Sequence, residues 1–312
     1  MQPEILQIGP LLPETMHALE ETYRVHRYDL APDKDALLRE IAPRVTAIAT
    51  RGDYALRGET MARLPLLKLI ASSGAGYDGI EASAARRMGI AVTHTPGIVS
   101  ECVADMAWAL MLATVRRVLF HDRFVRSGTW LREKPMLTDR VWGQRLGIVG
   151  LGGIGKAIAR RAEAFRMEVA YCGRRQQPGV AYRYFDDVRD LAAFAQILVV
   201  AVPGGVATSG LVGREAIDAL GAGAYLVNVS RGSVVDEPYL IDALQNKRLA
   251  GAGLDVFANE PHVPDALIAM ENVVLQPHMG SGSNYTRIAM GQLLLDNLAA
   301  FFDGRPLLSP VP

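Results

Sequence analysis

A glycine-dense turn in the middle of the chain, residues 146–155, narrows the possible folds more than any other feature. It sets Gly150, Gly152 and Gly155 at the spacing GxGxxG, directly after the apolar run 145–149 and directly before the helical pattern 156–165. Glycine-rich chains meet this spacing by chance, but a strand before it and a helix after it give each glycine a physical task. Gly150 permits the tight turn, Gly152 lets a pyrophosphate approach the backbone, and Gly155 lets the helix pack on the strand. A bare packing turn is the competing reading; the strand–turn–helix context favours dinucleotide binding.

The rest of the chain repeats that rhythm. Runs at 4–9, 45–50, 67–72 and 91–95 read as strands separated by Arg/Glu/Ala-rich helices. A second series follows at 145–150, 168–172, 197–202, 224–229, 251–256 and 272–276, whose six strands fit one dinucleotide-binding domain. At about 150 residues per domain, 312 residues suggest two domains, and the alternation predicts α/β architecture with parallel sheets. A long helix is expected over 102–119, with Ser100 as its N-cap; its nearly all-round apolar character predicts burial between two domains. Residues 127–143 read as an irregular loop or linker, 285–302 as a helix, and 304–310 as a non-helical ending.

Charge and composition exclude other classes. Lys plus Arg is 33 and Asp plus Glu is 33, so no general attraction to nucleic acid or anionic membrane is expected. With 50% hydrophobic and 21% charged residues the chain can bury a sizeable core. Cys102 and Cys172 have no metal-ligand spacing, which argues against a disulfide framework or zinc; both read as small buried residues rather than nucleophiles. The first residues lack a signal-peptide pattern and no apolar stretch reaches membrane-spanning length, so a cytoplasmic setting is expected. His17, His26, His121 and His262 lack ligand-like spacing, no metal is expected, and His94 reads as structural.

The strand after the glycine loop indicates the cofactor. An NAD site normally carries an acid about 20 residues on, which binds the ribose 2′-hydroxyl. Here strand 169–172 ends in Gly173-Arg174-Arg175. The missing carboxylate removes a repulsion, and a guanidinium can hold a 2′-phosphate by paired hydrogen bonds, so NADP(H) is preferred, with NAD(H) left open. An ordinary solvated arginine pair is the alternative.

Polar residues also follow three later strands: Arg231 after the fourth of this series, Glu260 after the fifth and His278 after the sixth. Ligands in open α/β sheets bind beyond the carboxyl ends of strands, so the three can converge on one crevice. Separately they read as a surface charge, a turn residue and a satisfied histidine; together they favour a site. The turn Gly74-Ala75-Gly76 follows a strand of the first series, and its amides can grip a carboxylate opposite Arg231, a plain turn being the alternative. Arg51 and Gly52 follow another strand there and are expected to border the same cleft; Arg51 is not assigned to the site, although a cation there could suit a longer, polyhydroxylated 2-oxo acid such as a ketogluconate.

With these segments in order, joined by 73–78, 95–97, 103–105 and 203–208, the chain closely resembles the D-isomer-specific 2-hydroxyacid dehydrogenases, and within them the glyoxylate/hydroxypyruvate reductases. The resemblance covers nearly the whole length. It implies two Rossmann-like or flavodoxin-like domains, with a cofactor domain, 99–286, inserted into a discontinuous substrate-binding domain, 1–98 and 287–312. It implies that Arg231 binds the substrate carboxylate and polarises the C2 carbonyl, that His278 is the general acid, and that Glu260 hydrogen-bonds the histidine. Imidazole, carboxylate and guanidinium suit those tasks independently, because hydride addition to a ketone builds negative charge on oxygen. It further places Asp255 near the nicotinamide carboxamide, Gly153 and Ile154 on the pyrophosphate, and Val202, Pro203, Thr208, Val229, Ser230 and Gly280 along the cofactor groove; packing competes for Val202 and Val229.

The implied reaction is NADP(H)-dependent reduction of a small 2-oxo acid to the D-2-hydroxy acid, with glyoxylate and hydroxypyruvate leading, 2-ketogluconate open, and a bulkier substrate as the alternative. A homodimer through the cofactor domains is implied, where Trp130, Met136 or Trp142 can reach a partner's site or simply pack. Two departures stand out: the segment 203–208 is richer in glycine than usual, and Gly173 replaces the usual acid. Glu260 argues against formate dehydrogenases, which carry Gln there, and the absence of NAD-type acids and regulatory extensions argues against phosphoglycerate dehydrogenases. A binding-only corepressor would keep the fold, but no basic DNA-binding element is visible.

Overall fold

The computed structural model describes residues 2–311. The chain divides into two compact units, one made of residues up to Val99 and from Ser283 onward, the other of Ser100–Gly282. Among the described residues no helix is long and apolar enough to cross a membrane.

The first unit is built on strands β1 (Glu4–Ile8), β2 (Arg24–Arg27), β3 (Ala47–Arg51), β4 (Leu69–Ser73) and β5 (Ala91–Thr93), all parallel, in the order β2-β1-β3-β4-β5. Successive strand residues face opposite sides, and each side meets its own core. Ile5, Ala47, Ala49, Leu69 and Ala71 pack with Leu294 and Leu298 of the helix Asn284–Phe302, whereas Leu6, Ile48 and Ile70 pack with Leu38, Ile41 and Met61. A sheet covered on both faces in this way suits apolar runs and parallel pairing. β2 was not foreseen: its Arg24-Val-His-Arg27 sequence lies at the sheet edge and carries no apolar run. The ending is non-helical and tied down, since the Val311 amide donates to the Val92 carbonyl.

The second unit holds β6 (Arg145–Val149), β7 (Glu168–Cys172), β8 (Arg183–Phe185), β9 (Ile197–Val200), β10 (Tyr225–Asn228), β11 (Gly251–Leu254) and β12 (Val273–Leu275). All pair in parallel in the order β12-β11-β10-β9-β6-β7-β8. This corrects the expected six strands to seven: β8 is a three-residue edge strand without a strong apolar signal. Both units are therefore parallel α/β, and the second has Rossmann-like strand order.

The helix expected over 102–119 runs instead over Ser100–Val115; Arg117 turns into the left-handed region at φ 46° and a separate helix occupies Val118–Arg126. The first of these packs within the second unit, on β10 to β12 and on the helix Gly153–Ala164. Its close approach requires glycine on β11, because a Cβ at Gly253 would lie 3.0 Å from both Leu110 Cβ and Thr114 Oγ1. Of the irregular stretch expected over 127–143, Thr129–Leu131 forms a short 3-10 turn and residues 132–142 form no helix or strand; the stretch belongs to the second unit and does not link the two.

Candidate active site

The order of strands places the notable residues of the second unit along one sheet edge. Taken across the sheet, the carboxyl ends of β7, β6, β9, β10, β11 and β12 lead to Gly173, Gly150, Val202, Arg231, Asp255 and His278. Five strand spacings separate the first from the last, roughly 24 Å. Strand order reverses between β6 and β9, the position at which open α/β sheets form a ligand crevice.

The glycine loop lies at that reversal. Gly150 has φ 96°, and a Cβ there would come within 2.6 Å of Val202 Cγ1. At Gly155 a Cβ would lie 2.1 Å from the Gly150 carbonyl oxygen, so this glycine is required for helix and strand to touch. Gly152 differs: its Cβ would meet nothing within 4 Å. Protein packing therefore does not require glycine at 152, whereas a pyrophosphate lying against that backbone would. Gly152 also begins the helix Gly153–Ala164 without a side-chain cap, so the first helical amides, Gly153 and Ile154 among them, remain available to an anion. The loop fits a dinucleotide.

Beside it, the Gly150 amide donates to the Cys172 carbonyl, 2.9 Å, which brings the end of β7 next to the loop. Gly173 follows, half-buried, with room for a side chain, since a Cβ there would also meet nothing within 4 Å. Arg174 and Arg175 are exposed and form no ion pair among the described residues. Cys172 is buried, and burial, helped by the charges of Asp187 and Asp186, pushes its thiol up to about 11, an inert sulfur. After β9, the Thr208 hydroxyl donates to the Pro203 carbonyl at 2.7 Å and closes the loop that Gly205 turns at φ 126°. Thr208 thereby holds its own loop, with Pro203 exposed at its start.

Arg231, Glu260 and His278 are brought into one cluster by a backbone framework that sequence reasoning had not assigned. Asn228 ends β10 at 1% exposure; its Oδ1 accepts from the Ser230 amide and hydroxyl, and its Nδ2 donates to the Arg231 carbonyl. This shapes the turn that presents Arg231, with Val229 and Ser230 buried beneath it. Gly232 then packs directly on the next loop, where a Cβ would lie 1.9 Å from the Phe257 carbonyl carbon. In that loop the Phe257 amide donates to Glu260 Oε1 at 3.1 Å. The other oxygen, Oε2, accepts from His278 Nδ1 at 2.7 Å.

His278 adopts φ 55°, an uncommon conformation for a residue with a side chain. Asp255 sustains it: the Asp255 carbonyl accepts from the His278 amide at 2.9 Å, while its two carboxylate oxygens accept from the Met279 and Gly280 amides at 2.7 Å each. At 1% exposure Asp255 acts as a strut for this turn. Burial raises its pKa, against the pull of those two amides and the His278 charge. Glu260 shows the reverse balance. Burial raises it, but the His278 hydrogen bond and charge, the Phe257 amide and the Arg231 charge outweigh burial and hold the carboxyl below its usual value. The carboxylate thus stays ionised beside the imidazole and fixes the Nδ1–H tautomer, which leaves Nε2 for a reacting group.

In the first unit, the Gly74–Gly76 turn follows β4, and His94 anchors it through Nδ1 to the Ala75 carbonyl at 2.9 Å. His94 was read as structural, and the turn is the structure it supports. Arg51 ends β3 and is ion-paired with Asp53. Trp130, Met136 and Trp142 are exposed on the second unit.

Comparison with known proteins places this geometry. The model of the D-isomer specific 2-hydroxyacid dehydrogenase, NAD binding domain, matches residues 108–280. The chain is 43% identical over 307 residues to a glyoxylate/hydroxypyruvate reductase A of Arabidopsis thaliana, which covers 98% of each chain. It is 41% identical over 310 residues to a 2-ketogluconate reductase of Gluconobacter oxydans, 99% of each. Among solved structures it resembles, with TM-score 0.93 and 40% identity, an NADPH-dependent glyoxylate/hydroxypyruvate reductase of Sinorhizobium meliloti in complex with NADP and malonate, covering 100% of this chain and 97% of that one.

Proposed function

Because the chain belongs to the D-isomer specific 2-hydroxyacid dehydrogenases, oxidoreductases that interconvert 2-oxo and 2-hydroxy acids, we propose that it is an NADPH-dependent reductase of small 2-oxo acids, using Arg231, Glu260 and His278. The observation that carries the reading is the 2.7 Å contact between His278 Nδ1 and Glu260, made within reach of the Arg231 charge. Glyoxylate and hydroxypyruvate are the leading substrates, by likeness to relatives named for them.

When bound, the nicotinamide supplies the hydride that adds to C2 of the oxo acid. The chain's own residues supply the rest. Arg231 binds the substrate carboxylate with paired N–H donors and draws electron density toward the C2 oxygen. His278 gives the Nε2 proton to that oxygen as the negative charge develops, so the product leaves as a 2-hydroxy carboxylate and the histidine is reprotonated from solvent. Glu260 stabilises the imidazolium before transfer and holds the ring's direction. Asp255 is a positioning residue that keeps the His278 turn in place. In the first unit, Gly74, Ala75 and Gly76 are proposed to present amides that can take a carboxylate.

Gly150, Gly152, Gly153, Ile154 and Gly155 hold the pyrophosphate, and Val202, Pro203, Thr208, Val229, Ser230 and Gly280 line the groove. Gly173, Arg174 and Arg175 favour NADPH over NADH: position 173 carries no acid to repel a 2′-phosphate, and the two arginines beside it form no ion pair among the described residues. A homodimer through the cofactor unit is supported by exposed Val118, Leu119, Trp130, Leu131, Leu137 and Trp142, a concentration of apolar surface unusual for a monomer.

The test is steady-state loss of NADPH or NADH absorbance with glyoxylate and hydroxypyruvate, beside His278→Ala. Turnover by the wild type and loss in the variant with NADPH binding intact is the expected outcome. NADPH binding without turnover of any 2-oxo acid would leave a binding protein instead.

A further inference from the structure

We propose that Gln177 is a positioning residue for cofactor selectivity: it fastens the loop that bears Arg174 and Arg175 to the glycine loop, so that the arginine-bearing backbone is already in place when a 2′-phosphate arrives. This rests on the NADPH reading above and adds the residues, none of them charged, that give the arginine pair a fixed base.

The loop leaves β7 at Gly173 and rejoins the sheet at Arg183, where β8 begins. Arg174, Arg175 and Gln176 are exposed and belong to no helix or strand, and such a stretch by itself samples many backbone conformations. Two tyrosines fasten it on either side. Tyr171 and Tyr184 are partners in register on β7 and β8, with ring centroids 5.3 Å apart. The Tyr184 hydroxyl donates to the Gly173 carbonyl at 3.1 Å, and the Tyr171 hydroxyl accepts from the Gln177 amide at 2.8 Å. Tyr171 is 1% exposed, and a phenol buried so deeply needs a hydrogen-bond partner, which the loop supplies. Residues 174–176 are therefore held at both ends.

The side chain of Gln177 makes the third connection. Its Nε2 donates to the Leu151 carbonyl at 2.8 Å. Leu151 is buried between Gly150 and Gly152, and its carbonyl belongs to the same planar peptide as the Gly152 N–H. A hold on the carbonyl thus fixes the direction of that N–H as well. With the Gly150 amide on the Cys172 carbonyl, two hydrogen bonds join the glycine loop to the segment that closes and follows β7. The backbone proposed to take the pyrophosphate and the backbone that bears the arginines consequently share one frame.

That shared frame matters for one cofactor and not the other. In NADPH the pyrophosphate and the 2′-phosphate belong to one molecule, so the two protein segments must be spaced to suit both at once. NADH has no 2′-phosphate and makes no demand on the arginines. Charge-assisted hydrogen bonds from guanidinium to phosphate are strong, but ordering a loose loop at the moment of binding subtracts from them. Arg174 and Arg175 have no ion pair among the described residues to hold them, so the backbone beneath them carries that task. Gln177 acts on selectivity through the arginines and touches no phosphate itself.

The test measures the Kd of NADPH and of NADH by titration calorimetry in the wild type, Gln177→Met and Tyr184→Phe, and again for Gln177→Met in a chain that also carries Arg174→Ala and Arg175→Ala. Methionine keeps the length of glutamine without its N–H donor. In Gln177→Met the Kd of NADPH is expected to rise about tenfold more than that of NADH. Tyr184→Phe, which loses only the hydroxyl on the Gly173 carbonyl, should move the ratio the same way by about threefold, and it decides the matter if Gln177→Met does not fold. Without the two arginines, Gln177→Met should leave the ratio unchanged, because a residue that works through another has no effect once the other is gone. An equal loss for both cofactors, an unchanged ratio in the single variants, or a change that persists without the arginines overturns the proposal. A wild type that binds NADH as tightly as NADPH overturns the cofactor reading itself, whatever the variants do.

Discussion

Placing an acid at Gly173 should reverse the cofactor preference. The position closes β7 beside the glycine loop, and a Cβ there meets no atom within 4 Å, so Gly173→Asp adds a carboxylate without displacing the protein. With NADH the new carboxylate accepts from the ribose 2′-hydroxyl. With NADPH it faces a phosphate of nearly two negative charges. At roughly 5 Å in well-solvated surroundings that repulsion is about 2 kcal/mol. This corresponds to roughly thirtyfold in KM for NADPH. Arg174→Ala with Arg175→Ala should add a comparable loss, since charge-assisted hydrogen bonds contribute about 1.5–3 kcal/mol each. The assay is initial-rate kinetics with each cofactor at saturating oxo acid, at low and high ionic strength, because a Coulombic effect shrinks as salt is added. If the NADPH to NADH ratio stays the same in the three-residue variant, or if the change is indifferent to salt, the 2′-phosphate does not lie at the end of β7 and the reasoning fails.

At the reacting end, His278→Gln should cut kcat by about 10² to 10⁴ while NADPH binding, followed by calorimetry, persists; a loss below tenfold would remove the proton-donor role. The glycines of the loop separate packing from ligand binding. Gly155→Ala, meeting the Gly150 carbonyl at 2.1 Å, should cost about 3 kcal/mol in urea unfolding, whereas Gly152→Ala should unfold like the wild type and bind NADPH at least roughly tenfold more weakly. Equal effects of the two on stability would refute the distinction. In the first unit, the His26 hydrogen bond, followed by the contacts of Arg44 and the charge of Arg24, outweighs burial and holds Glu4 below its usual value. A depressed carboxyl contributes stability that is complete above the ordinary carboxylate value and lost as pH falls through the depressed one. Glu4→Gln should therefore destabilise by about 1–3 kcal/mol at neutral pH. Denaturant curves at descending pH should show the gap to the wild type close only below the ordinary value; a gap that widens there would contradict the assignment.

How far the sequence could be read depended on where each residue lies in the sheets. Interior strands such as β4 and β9 are apolar on both faces and stood out as runs. Edge strands β2 and β8 did not, because Arg24–Arg27 and Arg183–Phe185 carry arginines and no apolar run, whereas the edge strands β5 and β12 are apolar enough to be read. The long apolar pattern after Ser100 was read as one helix, and nothing in its composition marks the left-handed turn at Arg117. Arg231, Glu260 and His278 could be singled out because each is a polar residue in the loop after an apolar strand, and the structure pairs the last two by a hydrogen bond. Asn228 carried the same signal, a polar residue closing β10, yet its role is to hydrogen-bond the turn that bears Arg231, a backbone relation that residue identity alone does not reveal. The positive φ of His278 and the two amides bound by Asp255 were likewise beyond reach.

That framework bears on why three residues separated by up to 47 positions can act together. None of the loops that carry them is stabilised by itself. The Arg231 turn rests on Asn228 and, through Gly232, on the Phe257 backbone; the Phe257 amide in turn orients Glu260; Glu260 fixes the His278 ring, and Asp255 fixes the His278 backbone. Asp255 itself donates its amide to the Asn228 carbonyl at 3.0 Å, which joins the two ends of the sequence of contacts. All but one of the links engage the main chain, by hydrogen bonds or a glycine contact; the exception is the carboxylate–imidazole pair of Glu260 and His278. Transition-state stabilisation depends on donors already in place when charge develops. The left-handed backbone at His278, costly in isolation, is held by Asp255 in the conformation from which Nδ1 meets Glu260.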